Sequence, residues 1–264
     1  MPKILMCQPT FYNIRYEINP WMDIHRPTDT SIALFQWERL YNILTKEIKA
    51  VVELVEPQPR LPDMTFTANA GLVYKGNFIC SNFRYPQRQP EARFFSEWFR
   101  TKGCKVINLP EEHYFEGEGD ALFSGDNLFA GYRFRSDIRS HKFVGEIIGK
   151  RVISMELIDP SFYHLDTCFC PIGDDTVIYY PDAFDSYANR VIKNYIPNRI
   201  VVDRKEALKF CCNAGVVGNN IIINKGSDRV NKRLMDSGYK VFEVELNEFL
   251  KAGGSAKCLM LMIS

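Results

Sequence analysis

The chain has no excess of charge of either sign. Its 33 basic residues face 32 acidic ones, a formal net charge of +1, so no bulk field draws it to nucleic acid or to an anionic membrane. No stretch of the 264 residues approaches the roughly 20 apolar residues of a membrane span. The opening Met1-Pro-Lys-Ile-Leu-Met-Cys-Gln-Pro lacks the apolar core of a secretory signal, and a cytoplasmic location is expected. Eight cysteines occur without a Cys-x-x-Cys spacing, several inside apolar runs. That argues for reduced, buried thiols rather than a disulfide framework. Histidine is scarce, and no second Cys/His cluster with ligand spacing accompanies Cys168 and Cys170, so no metal is expected. Gly-x-Gly-x-x-Gly, the Walker loop and Gly-x-Ser-x-Gly are all missing, and no cofactor is expected. Nor does a Pro/Ser-rich linker or a charge block divide the chain, so residues 1–264 read as one domain with ample core-forming material.

What is present is an internal repeat. A short polar element opens onto an apolar run at residues 69, 120, 166, 213 and 258, with spacings of 51, 46, 47 and 45 residues. The clearest copies are Asn69-Ala-Gly-Leu-Val-Tyr-Lys-Gly-Asn-Phe-Ile and Asn213-Ala-Gly-Val-Val-Gly-Asn-Asn-Ile-Ile-Ile. The copy at Cys258 is cut short. Between copies lie helical patterns and then a further strand, for example Cys104-Lys-Val-Ile-Asn-Leu and Lys150-Arg-Val-Ile-Ser-Met. Ile32, Leu34, Phe35, Leu40, Tyr41, Leu44, Ile48 and Val51 form the first helical stripe. Pro90 suits the first turn of the second helix and Gly103 its end. Ser136 and Ser227 suit the starts of the third and fifth, and the fourth spans roughly 183 to 195. The expected fold is α/β: a five-fold pseudosymmetric propeller of ββαβ modules, with inner strand starts lining a central active site.

Those strand starts carry reactive residues. Cys258 follows Gly253-Gly254-Ser255-Ala256-Lys257, read as a flexible approach, and begins the expected final strand; a buried small hydrophobe is the bland alternative. His164 and Asp166 are two apart in a strand-like segment, so both face one side. Glu116-Gly117-Glu118-Gly119-Asp120 holds three carboxylates in five residues, and either glutamate is a candidate to orient His164. Asp63 and Asn69 flank Met64-Thr-Phe-Thr-Ala, where Phe66 is suited to lie flat against a planar cation. Asn213 is read as a residue that satisfies backbone groups at a strand start.

Glu-Gly-x-Gly-Asp, His-x-Asp and a C-terminal Gly-Gly-x-x-x-Cys on a five-module ring resemble the guanidine-modifying superfamily of arginine deiminases, dimethylargininases and amidinotransferases. The resemblance covers essentially the whole chain. Asn19-Pro-Trp-Met and Phe66-Thr-Ala-Asn-Ala-Gly look most like the cyanobacterial-type arginine dihydrolases. The resemblance implies Cys258 as nucleophile, His164 as acid/base and Glu116 as its orienter, brought inward by an added residue or a bulge. It implies Asp166 and Asp63 as guanidinium acceptors, Asn69, Asn19 and Phe66 as further substrate contacts, and Arg88 and Arg135 as a clamp on the substrate carboxylate. Deiminases and dimethylargininases have Asp where this chain has Asn69. An amide both donates and accepts, so it suits a neutral ureido group and a second hydrolysis to ornithine. The small-molecule substrate is therefore arginine or a related guanidino compound. A one-step hydrolase giving citrulline, an amidinotransferase and a non-catalytic binding ring are the alternatives, and a homo-oligomer is left open. On the catalytic reading, Cys258 is expected to be the fastest thiol to label near neutral pH.

Overall fold

The computed structural model describes residues 2–263. Five three-stranded sheets of one design follow one another. In the first, Gly71–Tyr74 pairs antiparallel with Asn77–Cys80, which pairs parallel with Lys105–Asn108. The hairpin needs only a Gly76-containing turn, whereas the parallel return needs a crossover, supplied by the helix Glu91–Thr101. The same order recurs in the sheets built from Ala121–Ser124, Phe169–Pro171 and Gly215–Val217. The fifth sheet draws on both ends of the chain. Leu261–Met262 pairs antiparallel with Lys3–Cys7, which pairs parallel with Val51–Val55. The truncated copy at Cys258 is thus completed by the N-terminal strand, which closes the ring and hides its edges. Apolar clusters fill the spaces between sheets and helices.

Several boundaries differ from expectation. The first helix, Thr30–Asn42, buries Ala33, Gln36, Trp37 and Leu40, while Ile32, Leu34 and Phe35 are exposed. Two apolar stripes interleave on this helix, and three- and four-residue spacing selects both. Gln36 faces inward because the Asn247 side chain and the Glu248 backbone N–H satisfy its amide. The third helix, Ile138–Ile148, is capped by Asp137 rather than Ser136; Ser136 instead donates to Asp120 at 2.6 Å. Ser227 stands at the N-cap of Asp228–Asp236 without a side-chain capping bond. The fourth helix starts at Ser186, capped by Asp185. Cys258 lies in a turn, three residues before the final strand. His164 precedes a single 3-10 turn, Leu165–Thr167, and is not on a strand.

The two stripes of the first helix predict opposite outcomes in chemical denaturation. Leu40→Ala should destabilise by about 2–5 kcal/mol, and Phe35→Ser should stay within about 0.5 kcal/mol of the parent. Equal losses would show that the outer stripe is packed.

Candidate active site

The five repeat starts meet at the centre, and Asn69, Asp120, Asp166, Asn213 and Cys258 are each at most 2% exposed. Three groups of contacts can be distinguished there. In the first, the Cys258 thiol donates to Asp166 Oδ2 at 3.3 Å. Asn213 Nδ2 donates to the sulfur at 3.1 Å and to Asp166 O at 3.0 Å, while Asn213 Oδ1 accepts from the N–H groups of Ser255 and Cys258. Asn213 therefore does satisfy backbone groups, as its position implied, but it also holds the thiol. Its place in the Asn-Ala-Gly entry, equivalent to Asn69, was the available signal.

Burial, then the nearby Asp166 carboxylate, pushes the Cys258 thiol well above its ordinary range. Burial likewise pushes Asp166 up to about 7, against the pull of Lys257 and the hydrogen bonds from Cys258 and Asn213. Burial thus favours the protonated forms of both groups. One oxygen, Asp166 Oδ1, has no hydrogen-bond partner among the described residues.

The second group forms around Glu116, whose Oε2 accepts from His164 Nε2 at 2.8 Å and from Arg135 Nη1 at 3.0 Å. Burial would raise this carboxyl, but Arg135, the His164 hydrogen bond and Arg88 together hold it well below its usual range. An ionised carboxylate only accepts, so His164 Nε2 carries a hydrogen and Nδ1 is left for proton transfer. Glu118 faces elsewhere and pairs with Lys257 at 2.7 Å. No bulge brings Glu116 inward. The chain makes one helical turn over Gly117–Asp120, entered through Gly117 at φ +57, a conformation glycine adopts without steric cost. Asp120 fixes that turn by accepting from Ser136 and from Leu165 N–H, which ties the glutamate and histidine segments together.

The third group joins Asp63, Asn69 and Arg88. Tyr16 donates to Asp63 Oδ2 at 2.9 Å, and burial raises the Asp63 carboxyl despite the neighbouring Arg88 and that bond. Arg88 donates to Asn69 Oδ1 at 2.7 Å and is paired with Glu91. Asn69 Nδ2 is buried with no acceptor among the described residues.

Other expected contacts stand differently. Arg88 and Arg135 already hold partners within the protein, Glu91, Asn69, Glu116 and backbone oxygens. Arg135 also lies over the rings of Tyr85 and Tyr163, 4.8 and 4.6 Å from their centroids. Phe66 sits edge-to-face with Tyr12 and Phe249 in the core. Asn19 binds Ala252 O and its own turn. The segment 252–256 is buried and is tied down where Tyr163 donates to Gly253 O at 2.7 Å, so it is a fixed wall rather than a flexible approach. Cys168 and Cys170 are core thiols directed at backbone carbonyls. Residues 16–21 cover the site through Tyr16 on Asp63, Ile18 O on Arg135, Asn19 on Ala252 and Trp21 on Ser161 O. Tyr163 and residues 16–18 of this strap carry no sequence motif, whereas the rest of it belongs to the Asn19-Pro-Trp-Met segment that the resemblance singles out, and Lys257 occupies an unspecified position of Gly-Gly-x-x-x-Cys. Among the described residues no helix is long and apolar enough to cross a membrane.

The buried, protonated thiol reverses the expected labelling order. In the ligand-free protein, alkylation near neutral pH followed by peptide mass mapping should mark the half-buried Cys104 before Cys258; the opposite order would show an open or ionised centre. Asp166 gives a stability test. Its folded pKa is raised, so ionisation costs stability as pH climbs from the ordinary carboxylate range to about 7. The advantage of Asp166→Asn over the parent should therefore grow by a few kcal/mol from pH ~5 to ~8, at about 1.4 kcal/mol per pKa unit. Denaturation midpoints that move in parallel would contradict it.

Known proteins share this arrangement. A family model for eukaryotic N,N dimethylarginine dimethylhydrolase matches residues 16–264. The bifunctional arginine dihydrolase/ornithine cyclodeaminase ArgZ of Synechocystis sp. is 47% identical over 99% of this chain. The chain spans 38% of that relative's length. An N(G),N(G)-dimethylarginine dimethylaminohydrolase of Mycobacterium tuberculosis is 38% identical over 98% of this chain and 84% of its own. The crystal structure of the ArgZ N-terminal domain, a cysteine-to-serine mutant bound to substrate, superposes with a TM-score of 0.96 at 46% identity, covering 100% of this chain and 98% of that one. With its five-sheet ring and its central Cys, His and carboxylates, the chain belongs to the N,N-dimethylarginine dimethylhydrolase family within the guanidine-modifying superfamily.

Proposed function

We propose that residues 1–264 form one catalytic domain, a cysteine-dependent hydrolase that takes arginine through to ornithine. The observation that carries this reading is the amide nitrogen of Asn69, a buried donor with no acceptor among the described residues, beside the carboxylates Asp63 and Asp166. Support also comes from the likeness to the arginine dihydrolase domain of ArgZ.

A guanidinium meets Asp166 Oδ1, which is free, and Asp63, which carries only the Tyr16 bond. Its positive charge favours the Cys258 thiolate and the Asp166 carboxylate, replacing the protons they hold in the free protein. The thiol proton passes to His164 Nδ1 and the thiolate attacks the guanidinium carbon; as the C–S bond forms and the C–N bond breaks, His164 passes that proton to the departing nitrogen and ammonia leaves. Water activated by the same histidine breaks the C–S bond of the thiouronium and gives citrulline. Glu116 keeps the ring oriented and stabilises its charged form.

The ureido carbonyl of citrulline needs a donor, and Asn69 Nδ2 is one. Held there, the ureido carbon takes a second attack, a second ammonia leaves, and water cleaves the thioester-like bond. The resulting carbamate loses carbon dioxide to leave ornithine. The strap over the site must open for entry, since Cys258, His164 and Asp166 are at most 2% exposed. A second reading, removal of the methylated nitrogen from dimethylarginine, is favoured by the family model and the M. tuberculosis relative.

Purified protein incubated with arginine should yield ornithine and two ammonia per arginine consumed, and Cys258→Ala should yield neither. Asn69→Asp should stop at citrulline. Citrulline as the sole product of the parent protein would sink the second hydrolysis; turnover of dimethylarginine alone would favour the second reading.

A further inference from the structure

Arg88 and Glu91 form a buried pair, 3% and 0% exposed, at the start of the helix Glu91–Thr101. The guanidinium is held bidentately, Nε to Oε1 at 2.9 Å and Nη2 to Oε2 at 2.8 Å. Nη2 also donates to Asp63 O at 3.2 Å, and Nη1 to Asn69 Oδ1 at 2.7 Å. A guanidinium carries donors only. The amide atom facing it must therefore be oxygen, and the amide nitrogen is turned the opposite way.

That nitrogen borders Gly119. A Cβ at Gly119 would collide with Asn69 Nδ2 and lie 3.4 Å from the His164 ring, so the donor is presented on the histidine side of the centre. Arg88 is the only hydrogen-bond partner of the Asn69 side chain among the described residues. The two ends of a primary amide are nearly the same size, so without Arg88 little prevents a half-turn. The flipped amide would offer oxygen to the centre. An acceptor serves a guanidinium N–H, as a carboxylate does, but not a ureido carbonyl.

We infer that the buried Arg88–Glu91 pair is a positioning device that keeps Asn69 with its donor inward, and thereby decides whether turnover stops at citrulline or continues to ornithine. The inference rests on the arginine dihydrolase reading. Glu91 touches no reacting group; it acts through Arg88 by fixing the plane of the guanidinium. Without Glu91 the guanidinium would keep its bonds to Asn69 Oδ1 and Asp63 O and its place over the Phe83 ring, but would lose the bidentate partner that fixes its plane.

The test uses the double variant Arg88→Met/Glu91→Leu, because replacing both members of a buried pair with apolar side chains of similar volume is often neutral for stability. Glu91→Gln, which loosens Arg88 without removing it, gives a second measurement should the double variant fail to fold. Citrulline and ornithine are quantified separately during arginine turnover, and citrulline is also supplied as substrate. The citrulline-to-ornithine ratio should rise about tenfold in the double variant, the effect of one lost hydrogen bond. The rise should be smaller in Glu91→Gln, and turnover of added citrulline should fall in step. Arg88→Lys, which keeps a donor-only group, should restore part of the parent ratio.

A merely structural pair would lower both products together, and a lost carboxylate clamp would raise KM for arginine; either result without a change in ratio overturns the positioning role. Ornithine from the parent with unchanged ratios in the variants would overturn it while leaving the dihydrolase intact. Citrulline alone from the parent would overturn both.

Discussion

A circuit of contacts between the five module entries holds the centre together, hydrogen-bonded at every link but the one from Asn69 to Gly119, which is a packing contact. Ala68 N–H donates to Cys258 O. Asn213 bridges the backbone of residues 255–258 to Asp166, and Asp120 joins Ser136 to Leu165. The amide of Asn69 then packs on Gly119 and returns to the start. Each of these groups is buried, and a buried polar group left unpaired costs about 1–3 kcal/mol. The circuit therefore fixes the position of each entry by the positions of its neighbours. It also depends on ring closure, since the strand after Cys258 pairs with the N-terminal strand.

Within this frame the carboxylates fall into two kinds. Glu116 faces Arg135 and His164 and stays ionised. Asp166 faces a thiol and an amide and lies near its proton-bound state, with Asp120 pushed up to about 6 by burial in spite of its three hydrogen bonds. The difference separates support from reception. The ionised Glu116 keeps a histidine in one tautomer, Asp120 ties two segments together, and Asp166 keeps an oxygen open to a charged partner. A cation entering beside Asp166 and Cys258 favours the ionised form of both, so ligand binding and thiol activation are one event.

The repeat was legible in sequence because every copy must enter the same central environment, which constrains residue type at one position per module. That placed Cys258, Asp166, Asp120, Asn69 and Asn213 at a common axis. The side-chain partners were not legible. Arg88 and Arg135 carry the residue type of a carboxylate clamp, but nothing in the sequence reveals that Glu91 and Glu116 already lie within 3 Å of them. Asn213 gives the pattern of backbone support, because an Asn at a strand start looks the same in sequence whether or not a sulfur lies beside it. The first helix misled for a related reason. Gln36 is polar and buried, Phe35 apolar and exposed, and only the neighbours at Asn247 and Glu248 decide between them.

The chemistry sets an unusual demand on one side chain. A centre that hydrolyses a guanidinium is best lined with acceptors, whereas one that hydrolyses the ureido product needs a donor, and both must lie at the same carbon. A carboxylate meets only the first demand; a lysine or arginine meets only the second and repels the cation. An amide meets both, provided something outside the site fixes which end faces in. In this fold that anchor is a buried arginine whose own position is set by a glutamate in the first turn of the adjacent helix. On the positioning role inferred for Arg88 and Glu91, the choice between one hydrolysis and two is linked to the start of the helix Glu91–Thr101.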